Sequence, residues 1–314
     1  MKSPKKVFFI FFILALCFSF SIVCKQVPSP RLQFSLSFSQ SVHPDNITGR
    51  IFVCISEDNS PEPRLQAGSW SRSVPFFGKD IADLTPGAAV IIDENVLGYP
   101  AESLSDIPEG DYYVQGLINV YTKFSRSDGH EIWAHMDQWE GQQFNRSPGN
   151  LYSEPVKVHL DPTTGYNIEL KLDQKIPPVE VPADTEWVKR IKIQSDLLTE
   201  FWGHPIYIGA TILLPKGYDE HPEAYYPVHY RQGHFSLRAP YGFRTEEPDE
   251  NDRRGQTGYD FYQTWISEDF PRMFVITFQH PCPYFDDSYA VNSENCGPYG
   301  DALLTELIPY LEEH

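Results

Sequence analysis

Strict alternation of apolar and polar residues is the feature that most constrains this chain. From position 31 onward Leu32, Phe34, Leu36 and Phe38 are apolar, and the residues between them are polar. A period of two over this length puts the apolar side chains on one face of an extended strand, so it predicts a half-buried β-strand. Similar runs recur at 51–55, 89–92, 112–124, 156–160 and 168–172. With turn-rich segments between these runs and no convincing helical period, we predict an antiparallel β-sandwich within residues 24–175.

The pattern changes after a proline-rich segment. Residues 176–187 interrupt both periodicities and are predicted to be a linker. Continuous apolar runs then alternate with helical segments, and the runs at 188–194 and 206–214 could pair as a hairpin across "TEFWGHP". Two further runs are "YYPVHYRQG" and "MFVITFQH". Strands of this kind are typical of a sheet covered on both faces, so residues 188–314 are predicted to form an α/β domain.

The last segment is predicted to be an amphipathic helix. Gly297 and Pro298 suit its beginning, and Pro309 removes one backbone donor near its end. Its apolar residues form one stripe: Leu303, Leu304, Leu307, Ile308 and Leu311. Such a stripe needs a sheet to cover.

The amino terminus predicts export. Three lysines precede an uncharged apolar run from Val7 to Val23, which is typical of a signal peptide over residues 1–23, although the run is long enough for an uncleaved membrane anchor. Cys24 follows it and is a candidate lipid anchor of the bacterial cell envelope or periplasm. In the competing interpretation cleavage falls after Ser21, and Cys24 is an ordinary thiol.

Charge and cysteine content narrow the function further. The formal charge is −18, and loss of the three lysines of residues 1–23 takes it to −21. A surface this acidic repels phosphate backbones and argues against a nucleic-acid partner, and membrane contact is expected only through the signal or a lipid anchor. Cys282 and Cys296 are a candidate disulfide because in an exported protein they would close a short polar loop, whereas Cys54 lies in an apolar run and is expected to be a buried thiol.

Two segments resemble a known family. The stretches "ATILLPKGYDEHPEAYYPVHYRQGHFS" and "MFVITFQHPCPYFDDSYAVNSENCGPYGDALLTELIPYLEEH", together covering about 191–314, resemble the esterase family of α/β-hydrolases that includes esterase D-like and enterochelin-esterase-like enzymes. The segment "MDQWEGQQFNRSPGNLYSEPVKVHLD" resembles the leading sandwich domain of some secreted members. The resemblance implies an N-terminal β-sandwich followed by the N-terminal half of an α/β-hydrolase domain, an α/β plus all-β fold.

The resemblance also implies an activity and an oxyanion hole. Hydrolysis of carboxylic esters would proceed through an acyl-enzyme, and in the turn "RQGHF" Gly233 and His234 match the positions that stabilise the negative oxygen. Gln232 stands where the family often has histidine. The substrate would be a small-molecule or glycan-linked ester, and neither a cofactor nor a metal is expected. The oligomeric state does not follow from the sequence.

The catalytic serine motif is missing. In this fold the terminal helix precedes the strand that carries the motif G-x-S-x-G, and the acid and histidine follow later. The chain contains no G-x-S-x-G. We therefore expect this sequence to be the front portion of a serine esterase, without the catalytic serine, acid and histidine and inactive by itself. The alternative is a non-catalytic, envelope-associated protein whose sandwich binds a glycan or a protein.

The spacing of the remaining candidate residues does not favour a catalytic serine, a zinc site or a calcium site. Ser236 lacks glycine flanks, so it is not expected to be the nucleophile, and His234 is expected to shape the turn. His130 and His135 in "HEIWAHMD" are five apart in a β-like region, which does not fit a zinc helix. Asp286 and Asp287 are interpreted as solvated acids of a loop, since calcium needs six or more oxygen ligands.

Overall fold

The computed structural model describes residues 31–68, 73–221, 223–233, 236–249, 251–283 and 287–314. The predicted signal peptide and Cys24 lie outside the described residues, as do His234 and Asp286. The predictions that concern them therefore stay predictions.

The part of the chain before residue 176 is rich in strands. The strands are β1 (Leu32–Ser37), β2 (Ile47–Ser56), β3 (Phe76–Leu84), β4 (Val90–Asp93), β5 (Gly98–Tyr99), β6 (Gly110–Ser125), β7 (Glu131–His135), β8 (Leu151–Tyr152), β9 (Val156–Leu160), β10 (Tyr166–Lys171) and β11 (Gln174–Lys175). The helical elements are a single turn, α1 (Pro63–Gln66), and a 3₁₀ turn at Leu104–Asp106. One sheet has the order β10-β1-β4, and the larger one runs β11-β8-β6-β2-β3-β5 with β7 and β9 also paired to β6.

The alternation in the sequence is borne out in β1, where Leu32, Phe34 and Leu36 are buried and the residues between them are partly exposed. These side chains join a core with residues of the larger sheet, among them Ile51 and Val114. One pairing differs from the antiparallel expectation, because β1 runs parallel to β10. Parallel neighbours need a long crossover, and here the whole intervening chain supplies it.

The second part mixes strands and helices. The elements are β12 (Val188–Ser195), α2 (Asp196–Trp202), β13 (Ile206–Leu213), β14 (Val228–Arg231), α3 (Arg253–Trp265), β15 (Phe274–Gln279), β16 (Asn292–Ser293), β17 (Gly297–Pro298), α4 (Tyr299–Ala302) and α5 (Ile308–Glu313), with a π-helical turn at Leu303–Leu307 and 3₁₀ turns at Tyr218–Glu220 and Pro240–Gly242. A four-stranded sheet has the order β12-β13-β15-β14. In it β13 is antiparallel to β12 and β15, whereas β14 is parallel to β15. The chain is thus a mixed α/β protein with several sheets and few helices.

The predicted hairpin of 188–194 and 206–214 forms, but a helix connects its strands. The Ser195 hydroxyl caps α2 by accepting a hydrogen bond from the Leu198 amide at 3.1 Å, and the helix ends at Gly203, whose φ is 61°. These are ordinary start and stop signals of a helix. Glu306 binds the same end of α2, since its carboxylate accepts hydrogen bonds from the Ser195 hydroxyl at 2.5 Å and the Leu197 amide at 2.9 Å.

The terminal helix begins and ends near the predicted residues, from Tyr299 to Glu313, with a change of helical type in the middle. The π-helical turn directly precedes the segment that contains Pro309, which supplies no backbone N–H. Leu303 and Leu307 are buried as the stripe predicts, but Leu304 is 65% exposed. The buried face is therefore narrower than the sequence indicates.

The two parts meet in a second apolar core, which is formed mostly by the second part, although their strands pair separately. Among the described strands, those up to β11 pair only with one another, and so do those from β12 to β15. Nevertheless Phe124 of β6 packs against Trp202 of α2 with ring centroids 5.2 Å apart, and the Ser127 amide donates to the Phe201 carbonyl at 2.9 Å. The predicted linker at 176–187 separates the sheets, but the hairpin of β6 and β7 extends into the second core.

This contact leads to a prediction about Gly203. A Cβ at this position would lie 2.2 Å from the Ser125 carbonyl oxygen, and the backbone is left-handed. Gly129 is also left-handed, with a φ of 88°, but a Cβ there would meet no atom within 4 Å. The left-handed strain costs roughly 1–2 kcal/mol, and overpacking adds about 1–3 kcal/mol.

We therefore expect Gly203→Ala to lower the free energy of unfolding by about 2–5 kcal/mol and the control Gly129→Ala by only about 1–2 kcal/mol. Urea denaturation followed by circular dichroism measures both. Equal losses in the two variants would show that the approach of α2 to β6 is not as close as described.

Candidate functional site

The turn that follows β14 is the predicted site. Strands β14 and β15 are parallel neighbours, with Arg231 opposite Thr277. The carboxyl ends of both strands therefore lie at the same end of the sheet. In open α/β sheets ligands bind in the crevice outside the carboxyl ends of the strands.

The side-chain amides of Gln232 and Gln279 hold the two ends of this turn. The Gln232 amide donates to the Tyr289 carbonyl at 2.7 Å, and the Gln279 amide donates to the Ser236 carbonyl at 2.8 Å and to the Thr211 hydroxyl at 3.0 Å. Gln279 is buried at the end of β15. Gln232, where the resembling family often has histidine, thus ties the turn to the segment that begins at Asp287.

A cavity of about 290 Å³ opens beside the turn. The residues that line it include Arg231, Gln232, Gly233, Ser236, Arg238 and Thr277. A Cβ at Gly233 would meet no atom within 4 Å, so the backbone of the turn borders open space. Within the described residues neither arginine has a carboxylate partner, and the buried Thr277 hydroxyl has no hydrogen-bond partner. The cavity therefore offers two positive charges and polar groups to a negatively charged ligand.

The structure brings Gly233 to this cavity, but the other half of the predicted oxyanion hole, His234, lies outside the described residues. The predicted pairing of these two residues is therefore untested. Ser236 also lines the cavity, and its hydroxyl accepts a hydrogen bond from the Arg238 amide at 3.2 Å. This contact does not activate a serine, because a backbone amide is not a base.

A buried cluster of His280, Asp287 and Ser288 was not predicted. His280 Nδ1 lies 3.0 Å from both the Asp287 carboxylate and the Ser288 hydroxyl, and all three residues are buried. A catalytic triad uses one imidazole nitrogen for the acid and the other for the serine. Here both contacts fall on Nδ1, so the cluster has the residue types of a triad without its geometry.

The position of Asp287 corrects the sequence interpretation. Asp287 is buried instead of solvated, and its carboxylate accepts a hydrogen bond from the Tyr289 amide at 2.7 Å. Its role is structural, since it holds the segment to which Gln232 is bound. The adjacent letters "DDS" after "QHPC" contain the right residue types, but only the fold buries them.

The predicted disulfide between Cys282 and Cys296 is not formed. Both residues are buried thiols in the structure. Their side chains are in hydrogen-bond contact, and this contact, together with the Ser293 hydroxyl and the Arg126 charge, outweighs burial and lowers the pKa of Cys296 to about 6. Cys54 is a buried thiol, as predicted, and burial raises its pKa to about 12.

The histidines of "HEIWAHMD" are used separately. His135 is buried between the Asn119 side chain at 2.8 Å and the Glu140 carboxylate at 2.5 Å, whereas His130 is exposed and lies 3.1 Å from Asp128. Each is bonded to its own partners, as the spacing suggested. In the described ranges no group of three histidine, cysteine or acidic residues is placed to hold a metal ion. Across the same ranges, the helices are too short or too polar to cross a membrane.

Asp137 organises the loop after β7. Its carboxylate accepts hydrogen bonds from the amides of Trp139 at 2.6 Å and Gln142 at 2.7 Å. Both of those residues have left-handed backbones, with φ of 80° and 57°. Burial, followed by the charge of Glu140, raises the pKa of Asp137 to about 7. The loop is therefore held in a strained conformation by a buried acid that titrates near neutrality.

Comparison with known proteins identifies no family for this chain. No family model matches the chain, and no curated protein matches it. Among solved structures it is similar to the crystal structure of a thermostable esterase, with 13% identity, a TM-score of 0.22, and coverage of 91% of this chain. The match spans 66% of that esterase, just under two thirds of its length. At this TM-score the likeness carries no argument about function.

The raised pKa of Asp137 leads to a prediction of pH dependence. The folded state holds the proton more tightly than the unfolded state, so the stabilisation is complete below a pH of about 4 and is lost as the pH rises through about 7. Asparagine does not titrate. Between pH 5.5 and 7 the wild type should therefore lose stability relative to Asp137→Asn by up to about 1.4 kcal/mol per pH unit.

Urea denaturation of both proteins at several pH values between 5.5 and 8 measures this difference. Asp161→Asn is the control, because hydrogen bonds from the side chain and amide of Thr163 lower the pKa of this exposed acid, and its titration is complete below the window. Parallel stability curves for the wild type and Asp137→Asn would show that Asp137 is ionised throughout.

Proposed function

We propose that this chain is the front portion of an exported serine esterase that hydrolyses carboxylic esters through an acyl-enzyme. In this proposal the serine, acid and histidine are supplied by sequence outside these 314 residues. The leading part is a β-sandwich, and the second part is the N-terminal half of an α/β-hydrolase domain. The observation that carries the proposal is the order and direction of the strands in the four-stranded sheet.

The sheet order β12-β13-β15-β14 has a distinctive pattern. The antiparallel pair β12 and β13 comes first in the sheet. Strand β15, the last of the four in sequence, lies between β13 and β14, and β14 lies at the edge, parallel to β15. An α/β-hydrolase sheet begins in this way, and its next strand, which carries the nucleophile, pairs with the third strand at the open edge. Among the described strands β14 pairs only with β15, and Val228 is 39% exposed. An edge like this presents unpaired backbone groups to an incoming strand.

The terminal helix points to the same edge. The Tyr230 hydroxyl of β14 donates to the Glu312 carboxylate at 3.2 Å, so the carboxyl end of α5 lies beside β14. A strand that followed the helix would begin next to the open edge. This arrangement supports the proposal independently of any sequence motif.

The turn at Gly233 fits the chemistry. Attack by serine on an ester creates a negative oxygen, and rigid donors stabilise it better than water, which must reorient. The turn is fixed by the amides of Gln232 and Gln279, and it borders a cavity with two arginines that have no carboxylate partner. In the proposal Gly233 and His234 form or shape the oxyanion hole, and the substrate is a small-molecule or glycan-linked ester.

Export remains part of the proposal on the evidence of the sequence. Residues 1–23 would be removed as a signal peptide, and Cys24 would carry a lipid that retains the protein at the bacterial cell envelope or in the periplasm. Alternatively, the chain is a non-catalytic envelope protein whose sandwich binds a glycan or a protein. Trp133, which is 49% exposed on β7, favours this second function, because exposed aromatic residues are typical of recognition surfaces.

The first experiment tests the isolated chain. We expect the purified 314-residue protein to show no turnover of p-nitrophenyl acetate above the buffer rate and no stoichiometric labelling by a fluorophosphonate, because Ser288, which contacts His280 Nδ1, is buried and shares that nitrogen with Asp287. The Ser236→Ala variant is the matched control for adventitious reaction at the exposed serine. Stoichiometric labelling that Ser236→Ala abolishes would contradict the proposal.

A second experiment separates the two functions. The coding DNA beyond codon 314 is read and translated in three frames. A β-rich run into G-x-S-x-G shortly after the helix, followed later by Asp and His, is the expected result. A genuine stop without such a sequence in any frame, together with cooperative unfolding of the soluble chain, would favour the binding protein.

A further inference from the structure

A larger cavity lies between the two parts of the chain, on the other side of Gln279 and Leu237 from the cavity beside Gly233. Its volume is about 580 Å³. Its walls come from the loop after β7, the predicted linker, β12, β13, the segment after β14 and the end of β15, and they include Trp139, Val179, Arg190, Lys192, Tyr207 and Leu237. We call it the inter-sheet cavity. Its volume and mostly apolar walls are those of a small-molecule site.

Trp139 is placed in this cavity at an energetic cost. Its φ of 80° is left-handed, which costs a non-glycine residue about 1–3 kcal/mol. The Asp137 carboxylate holds its amide at 2.6 Å, and a Cβ at Gly209 of β13 would lie 2.9 Å from the indole. The indole therefore packs on the backbone of β13, and only glycine at 209 leaves room for it. Strain of this kind is concentrated at functional sites.

Lys192 supplies a positive charge that no acidic side chain among the described residues balances. Its Nζ lies 4.9 Å from the ring centroids of both Trp139 and Tyr207. It forms no ion pair with any described residue, in a chain with 43 acidic and 25 basic residues. Burial by its surroundings lowers the pKa of Lys192, which means that the ammonium group is incompletely hydrated. A lysine held by two aromatic rings and short of water is prepared to bind an anion.

The other charged groups of the cavity, Arg190 and Asp137, already have hydrogen-bond partners in the backbone. The Arg190 guanidinium donates to the carbonyls of Leu237 at 3.2 Å and Ala183 at 3.0 Å. The Asp137 carboxylate accepts the two backbone amides of its own loop. Neither Arg190 nor Lys192 has a carboxylate partner among the described residues, and the Lys192 ammonium has no hydrogen-bond acceptor among them either, so Lys192 is the cation best placed to meet a negatively charged ligand.

We propose that the inter-sheet cavity binds a small organic acid with a flat apolar body, whose carboxylate meets the Lys192 ammonium and whose body packs against Trp139 and Tyr207. The charge gives the site its preference for acids over neutral molecules, and the aromatic and proline walls hold the body. Binding at this site does not require the proposed esterase activity, and its test does not involve turnover.

The probe is 2-naphthoate, compared with the neutral 2-naphthalenemethanol, by isothermal titration calorimetry on the full chain at pH 7. We expect the acid to bind at least about tenfold more tightly than the alcohol, because a partly desolvated ion pair stabilises only the acid. Lys192→Met should weaken binding of the acid about tenfold and change binding of the alcohol less than about twofold.

Lys189→Met is the matched control, since Lys189 lies on the same strand but does not line the cavity. It should leave both affinities unchanged. Tyr207→Leu should weaken both compounds, because it removes a wall and not the charge. Circular dichroism confirms the fold of each variant.

Equal affinity for the acid and the alcohol, an unchanged affinity of Lys192→Met for the acid, or no saturable binding of 2-naphthoate at about 10 mM would each overturn the proposal. Weakening by Lys189→Met equal to that by Lys192→Met would overturn it too, since the effect would then be one of general charge.

Discussion

The contacts of Trp202 hold the two parts of this protein in one arrangement. Its fully buried indole packs edge to face on Phe124 of β6, and its Nε1 donates to the Cys296 carbonyl at 3.0 Å. One side chain thus joins the first sheet, the helix between β12 and β13, and the loop that precedes the terminal helix. The left-handed backbone of Gly203 lets the chain leave α2 in close contact with β6.

Hydrogen bonds connect the candidate site to this core. The loop that contains Cys296 also contains Asp287 and Ser288, which are anchored to His280 at the end of β15. The Tyr289 carbonyl in the same segment accepts the Gln232 amide, so the turn at Gly233 is fixed through a chain of hydrogen bonds that ends in buried groups. Because such networks have few alternative arrangements, Gln232 and Ser236, the described residues at the two ends of the turn, are held in place.

Much of the fold could be predicted from local pattern, and the reasons for the failures are physical. Strand β9 matches its predicted limits, since alternation and turns define it locally. Strand β3 was missed because its sequence, "FFGKDIADL", has a glycine and three exposed charged residues that interrupt the alternation of apolar and polar residues. Helix α3 was missed because the first half of the face it buries carries Gly255 and Gly258, and its large apolar residues are confined to the second half, around Trp265. A Cβ at Gly258 would lie 2.0 Å from the Gly242 carbonyl oxygen, so this close contact excludes a large apolar residue at that position and shortens the hydrophobic stripe in the sequence.

The candidate site was predictable only in part. The turn after "YYPVHYRQG" was identified from sequence, whereas the cluster of His280, Asp287 and Ser288 depends on burial, which no local spacing reveals. The spacing of Cys282 and Cys296 indicated proximity correctly, but proximity does not determine whether two thiols are bonded. The site around Lys192 could not be predicted from the sequence. Its aromatic neighbour Trp139 is distant in sequence, and helix α2 lies between Lys192 and Tyr207.

We propose that β14, an edge strand among the described strands, pairs with a further parallel strand in the complete sheet. Amide hydrogen exchange resolved by residue tests it most directly. The amides of β14 that face away from β15 should exchange far faster than those of β13, which is paired on both sides. Protection of all β14 amides to the level of β13 would contradict the claim, because the edge would then already be covered.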